Sequence, residues 1–133
     1  MKMKSEQCEE ARQELHQISL YDVRISRYHR QLQELQQYEA AGLLDPERCQ
    51  HYRKIFLGSM SELENQRDKI IRTIMELPDR YADLLLLIYV KGLRTADLSA
   101  IIDRNIRTIS KDHVKALEAF HDLHSGQSDP TQI

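Results

Sequence analysis

Thr95–Leu123, TADLSAIIDRNIRTISKDHVKALEAFHDL, decides how the chain folds. Thr95–Ile102 has room for about two helical turns. Asn105, whose side chain accepts from backbone N–H groups at a helix start, then caps a longer helix expected to run to Leu123. Asp103, Arg104 and the cap are all that join the two. Just upstream, Asp79–Val90 carries Leu84, Leu85, Leu86, Leu87, Ile88 and Val90, apolar on nearly every face, which predicts a short helix buried on most sides. Lys91-Gly92-Leu93 breaks it. Two short helices, a tight joint and a longer helix make a helix-turn-helix signature.

The last helix is two-sided. Advancing by about 100° per residue from Arg104 places Thr108, Lys111 and Lys115 on one side, with Arg107 close beside them. Ile106, Ile109, His113, Ala116, Leu117 and Phe120 fall on the other, which predicts a face packed on a core. Arg104 to Lys115 contains four basic residues and one acid, Asp112, a local charge of +3 in a chain whose net charge is -2. A cationic face on the second helix of such a pair is what a duplex major groove requires. The Asn105 amide, at the helix start, also reaches toward a base edge or a phosphate. Charge alone would fit an ordinary solvated face; the helix-turn-helix spacing favours DNA.

Upstream of Pro78 the pattern changes. From Glu6 to Ala41 there is no Gly or Pro, and Ile18, Tyr21, Ile25, Tyr28, Leu32 and Leu35 alternate at three and four residues, one stripe on a helix. A helix of about 36 residues is roughly 54 Å long and needs a partner along its stripe. Asp45-Pro46-Glu47 starts that partner, with a capping carboxylate, Pro at the first helical position and an acid in the first turn. Cys49, Tyr52, Phe56, Leu63, Ile70 and Leu77 keep a heptad register, with Ile55, Met60 and Ile74 beside it and Ser59, Gln66 and Thr73 weakening the seam. The short joint at Gly42–Asp45 makes the two helices antiparallel. The expected fold is therefore all-α: a long coiled-coil-like hairpin over 1–77, a helix-turn-helix domain over 78–124 and a disordered tail over 125–133. Leu15, Ile55, Met60 and Ile74 lie off the main stripes, which points to self-association of the hairpin as a homodimer.

Composition agrees with this and removes the other classes. The 133 residues include 4 Gly and 3 Pro, too few for the turns of a β-sandwich, and no two glycines are close enough to cradle a phosphate. Leu84–Val90 is the longest apolar run, far short of a membrane span, and the Lys-rich start is followed by Glu and Gln rather than by a signal-peptide core. Cys8 and Cys49 fit reduced thiols in a cytoplasmic protein. Six histidines stand without a cysteine or carboxylate cluster, so neither a metal nor another cofactor is expected, and His113 reads as a packed histidine with a backbone partner. No nucleophile has an evident base, so catalysis is not expected. Tyr21, Tyr28 and Tyr52, on the stripes, read as core.

Leu77–Leu93, together with Arg107-Thr108-Ile109 and Ala116–Phe120, resembles the fourth region of sigma-70 family factors. It is more closely similar to phage and mobile-element regulators of the ArpU/RinA type, which place a long helical segment before a sigma-like helix-turn-helix. The resemblance spans Leu77–Leu123. It implies a DNA-binding transcriptional regulator working at promoters beside host RNA polymerase. It makes Thr95–Ile102 the positioning helix and Asn105–Phe120 the recognition helix, with Arg107, Thr108, Ser110 and Lys111 meeting the groove. With Arg94 and Thr95 at the start of the positioning helix, and Arg104, Asn105 and Lys115 from the charge pattern, these form the expected DNA-contacting set. Three positions depart from the family pattern: Asp103 where Gly is usual in the turn, there able to take the left-handed conformation at some cost; Thr95; and Asp112 at a usually apolar site. The alternative reading is a helical protein-interaction module that docks on RNA polymerase or another protein without reading DNA.

Overall fold

A computed structural model describes residues 4–127. Five α-helices follow one another: α1 (Lys4–Ala40), α2 (Pro46–Met75), α3 (Asp79–Leu85), α4 (Thr95–Ile101) and α5 (Ile106–Gln127), with a π-helical segment, Leu86–Val90, continuing α3. No strand is present among the described residues. Two compact units divide the chain, one made of Met1–Ser19 and Lys69–Ile133, the other of Leu20–Asp68. The division falls elsewhere than the expected boundary at 77/78, because both α1 and α2 pass from one unit into the other.

In the Leu20–Asp68 unit the two long helices run antiparallel. Contacts step in opposite directions along them: Asp22 accepts from Arg67 at 2.9 Å, Tyr28 meets Phe56 at 6.0 Å between ring centroids, and Glu39 accepts from Arg53 at 2.6 Å. The reversal is built from local chemistry. α1 ends on Gly42, whose φ of 72° is the left-handed conformation that lets Leu43 N–H reach the Tyr38 carbonyl and Gly42 N–H the Glu39 carbonyl. Asp45 Oδ1 then accepts from Arg48 N–H at 2.8 Å and opens α2. Ile25, Leu35, Cys49 and Met60 are buried, whereas Tyr52, expected in the core, is 42% exposed. A seam between only two helices cannot enclose a residue of that length.

The other unit joins sequence-distant segments. Leu84, Leu98 and Ile109, from α3, α4 and α5, form its helix-turn-helix core, with Leu87, Ile88, Leu93 and Ile102 packed around them. The joint between α4 and α5 is narrower than a left-handed turn: Arg104 N–H reaches the Ile102 carbonyl at 2.7 Å across Asp103. Gly42 and Gly92 are the described residues with positive φ, so Asp103 does not take the left-handed conformation. The start of α1 belongs here as well. Ala11, Leu15 and Ile18 are buried, as are Ile70, Thr73 and Ile74 at the end of α2 and Leu77 just after it. Of the four apolar residues that suggested self-association, Leu15, Met60 and Ile74 are therefore buried within the chain, and only Ile55 is exposed.

The α3 region differs from a plain helix. Lys91 N–H bonds to the Leu86 carbonyl, five residues back, which is the wider π spacing. It ends where Gly92, at φ 75°, turns the chain toward α4. α5 continues through Gln127, so 125–127 of the expected tail are helical; 128–133 lie outside the described residues.

Candidate nucleic-acid interface

α5 starts as its sequence predicts. Asn105 Oδ1 accepts from Thr108 N–H at 2.8 Å, satisfying one of the free donors of the first turn. Ile109, Ala116, Leu117 and Phe120 are fully buried, which fixes the rotation of the helix about its axis. Ile106, expected with them, is 53% exposed. It lies in the first turn, before the helix reaches the core.

With that rotation set, Arg107, Ser110, Lys111 and Lys115 are exposed on the outward side, and Thr108 is half-buried at its edge. Arg107, Ser110, Lys111 and Lys115 line one shallow depression together with Val114, Glu118 and, from the start of α1, Lys4. Arg94 is exposed, precedes the first turn of α4 and lies 3.4 Å from the Asp97 carboxylate; Thr95, next to it, is half-buried.

Arg104 is the exception. Its guanidinium donates to Asp112 at 3.0 Å, and Arg80 of α3 donates to the same oxygen at 2.8 Å. Burial by itself would raise the Asp112 carboxyl, but the two guanidiniums outweigh it and hold it below its ordinary value. Asp112, read from sequence as an acid diluting the basic face, is thus a buried anchor tying α3 and the turn to α5. Arg104, expected on the cationic face, is its internal partner, and the outward charge comes from Arg107, Lys111 and Lys115.

On the far side of α5, His113 has a side-chain partner rather than the expected backbone one. Tyr89, buried on the π segment, places its hydroxyl 2.9 Å from Nε2. Burial, and then the nearby Arg12 charge, lower the His113 pKa, which keeps the ring neutral and able to accept that hydroxyl proton. His16 of α1 meets the Tyr89 ring edge-on at 5.2 Å. His121 and His124 turn to α1, at 2.8 Å from Glu10 and 3.5 Å from Glu14. Sequence reasoning found the outward cations and missed Lys4, since nothing local in the sequence brings residue 4 beside residue 111.

Comparison with protein families matches residues 67–120 to the model described as Sigma-70, region 4. The matched residues take in α3, the π segment, α4 and α5 as far as Phe120, less than half of the chain. No curated protein and no solved structure matches the chain. The C-terminal part is a sigma-70 region 4-like, DNA-binding helix-turn-helix domain of transcription regulation. No helix among the described residues is long and apolar enough to cross a membrane.

Proposed function

From this region 4-like domain, we propose that the protein is a sequence-specific DNA-binding transcriptional regulator of phage or mobile-element type, acting at promoters beside host RNA polymerase. The observation that carries the reading is the sidedness of α5: Ile109, Ala116, Leu117 and Phe120 on its inner side are fully buried, with Ile109 in the helix-turn-helix core, and its outward face presents Arg107, Lys111 and Lys115. Arg107, in the first turn, is placed to reach the groove floor, where its fork grips a guanine at two atoms. Lys111 and Lys115, one and two turns on, hold phosphates as point charges. The cap occupies Asn105 Oδ1 and leaves Nδ2 to meet a phosphate. Ser110 shares this face and Thr108 stands at its edge, while Arg94 and Thr95 line a separate depression with His16, Tyr89 and Leu93.

Selection from random duplexes supplies the preferred site. On that site Arg107→Ala is expected to cost about 1–3 kcal/mol, with little effect on random DNA. Lys115→Ala is expected to weaken all duplexes alike and to lower the salt slope by about one. Should both variants bind duplex DNA as the wild type does, the alternative takes its place: a helical module that docks on RNA polymerase or another protein without reading DNA. The exposed apolar residues of the hairpin unit, Leu20, Val23, Ile55 and Leu57, favour a protein partner for that unit. A second copy of the chain is one such partner, because pairing serves two half-sites. A purely monomeric species in sedimentation at high concentration excludes the pairing.

A further inference from the structure

We propose that Lys4, in the first turn of α1, is a DNA-backbone contact, so that the interface is built from two elements distant in sequence; this deepens the DNA-binding reading and rests on it. The start of α1 runs alongside α5 in the same direction. The Cys8 thiol lies 3.9 Å from the Val114 carbonyl, Glu10 meets His121 at 2.8 Å and Glu14 meets His124 at 3.5 Å, so rising numbers on one helix follow rising numbers on the other. Cys8 is buried against α5, and Lys4 precedes it by four residues, one turn on the same side of α1. That turn carries Lys4 to the depression lined by Arg107, Lys111 and Lys115.

Among the described residues four cations therefore border this shallow depression, with Glu118 the one carboxylate lining it. They differ from Arg80 and Arg104, which are both tied to the buried carboxylate of Asp112. A concentration of positive charge left outward on the flank of a groove-reading helix fits the phosphate wall of that groove. From the first turn of α1 the Lys4 ammonium can meet a phosphate there and displace a counterion.

The test compares Lys4→Gln with Lys54→Gln, an exposed lysine of the hairpin unit that makes the same change in net charge. Both are titrated in the full chain against preferred and random duplexes at several salt concentrations, with helical content checked by circular dichroism. Lys4→Gln is expected to weaken both duplexes several-fold and alike, and to reduce the slope of log K on log salt by about one. Lys4→Arg should restore affinity and slope, and Lys54→Gln should keep both. Wild-type slope and affinity in Lys4→Gln, while Arg107→Ala loses the preferred site, overturns the two-element interface and leaves the DNA-binding reading standing. An equal loss in Lys54→Gln reduces the effect to net charge and overturns it too. A wild-type chain that binds no duplex removes both.

Discussion

Asp112 shows how one carboxylate changes meaning between a list of charges and a packed helix. Its side chain is 9% exposed and receives Arg80 and Arg104. Removing it leaves two guanidiniums without their anion and a gap at the α3–α5 contact. Asp112→Ala is therefore expected to destabilise the protein by about 2–4 kcal/mol, measured by urea unfolding. Arg104→Ala should lower stability as well, whereas Arg107→Ala should lower DNA affinity alone, and this separates the internal arginine from the outward one. Asn105 was legible because the N–H it accepts is three residues away. The partners of Asp112 were not, since Arg80 is thirty-two residues distant on another helix. His113 carries a pH dependence. Its folded pKa lies below the ordinary 6.5, so on acidification the unfolded chain takes up the proton first. The stability it contributes is complete above about pH 6.5 and is lost as pH falls from there through the lowered folded value. Thermal unfolding between pH 7 and 5 should show this loss, and His113→Gln should flatten the curve over the same window.

Among the elements, those governed by local rules were readable and those governed by packing were not. The Asp45-Pro46-Glu47 start and the Gly42 stop of the hairpin turn are decided within a few residues. Gly42 is left-handed with open space where a Cβ would be, so Gly42→Ala meets no clash and only the backbone penalty. The expected loss is about 1–2 kcal/mol, read as a lower urea midpoint at unchanged slope. The π segment is a different case. Leu84, Leu85, Leu86, Leu87 and Ile88 are apolar at every step, so composition states burial without stating rotation or pitch. Wider spacing after Leu85 places Leu87 and Ile88 on the helix-turn-helix core while Tyr89 meets His16 and His113. Three surfaces around one short segment select that pitch, and none of them is local to it. The same distinction explains Tyr52, whose heptad position was visible and whose exposure depends on how many helices close around it.

At the scale of the whole chain, the unit holding the helix-turn-helix is discontinuous, because it combines Lys69–Ile133 with Met1–Ser19. The stripe that announces α1 gives no sign of this division, since periodicity tells which face is buried and not what covers it. Cys8, Glu10, Arg12, Glu14 and His16 each interact with residues of the π segment or α5. Leu15 and Ile18 are fully buried and Ala11 nearly so. Burying a Leu or an Ile contributes about 1.5–3 kcal/mol, so the first nineteen residues account for several kcal/mol of a unit whose total stability falls near 5–15. A chain starting at Lys69 keeps the region 4-like core of Leu84, Leu98 and Ile109 but exposes the surface that α1 covers. It is expected to melt at a markedly lower temperature than the full chain, with a broader transition. Adding a separate peptide of residues 1–19 should raise the midpoint in a concentration-dependent way, as anything that binds only the folded state must. Equal melting of the shortened chain and the C-terminal part of the full protein, with no response to the peptide, would show that the helix-turn-helix domain stands without α1 and that the start of the chain is an attachment to it.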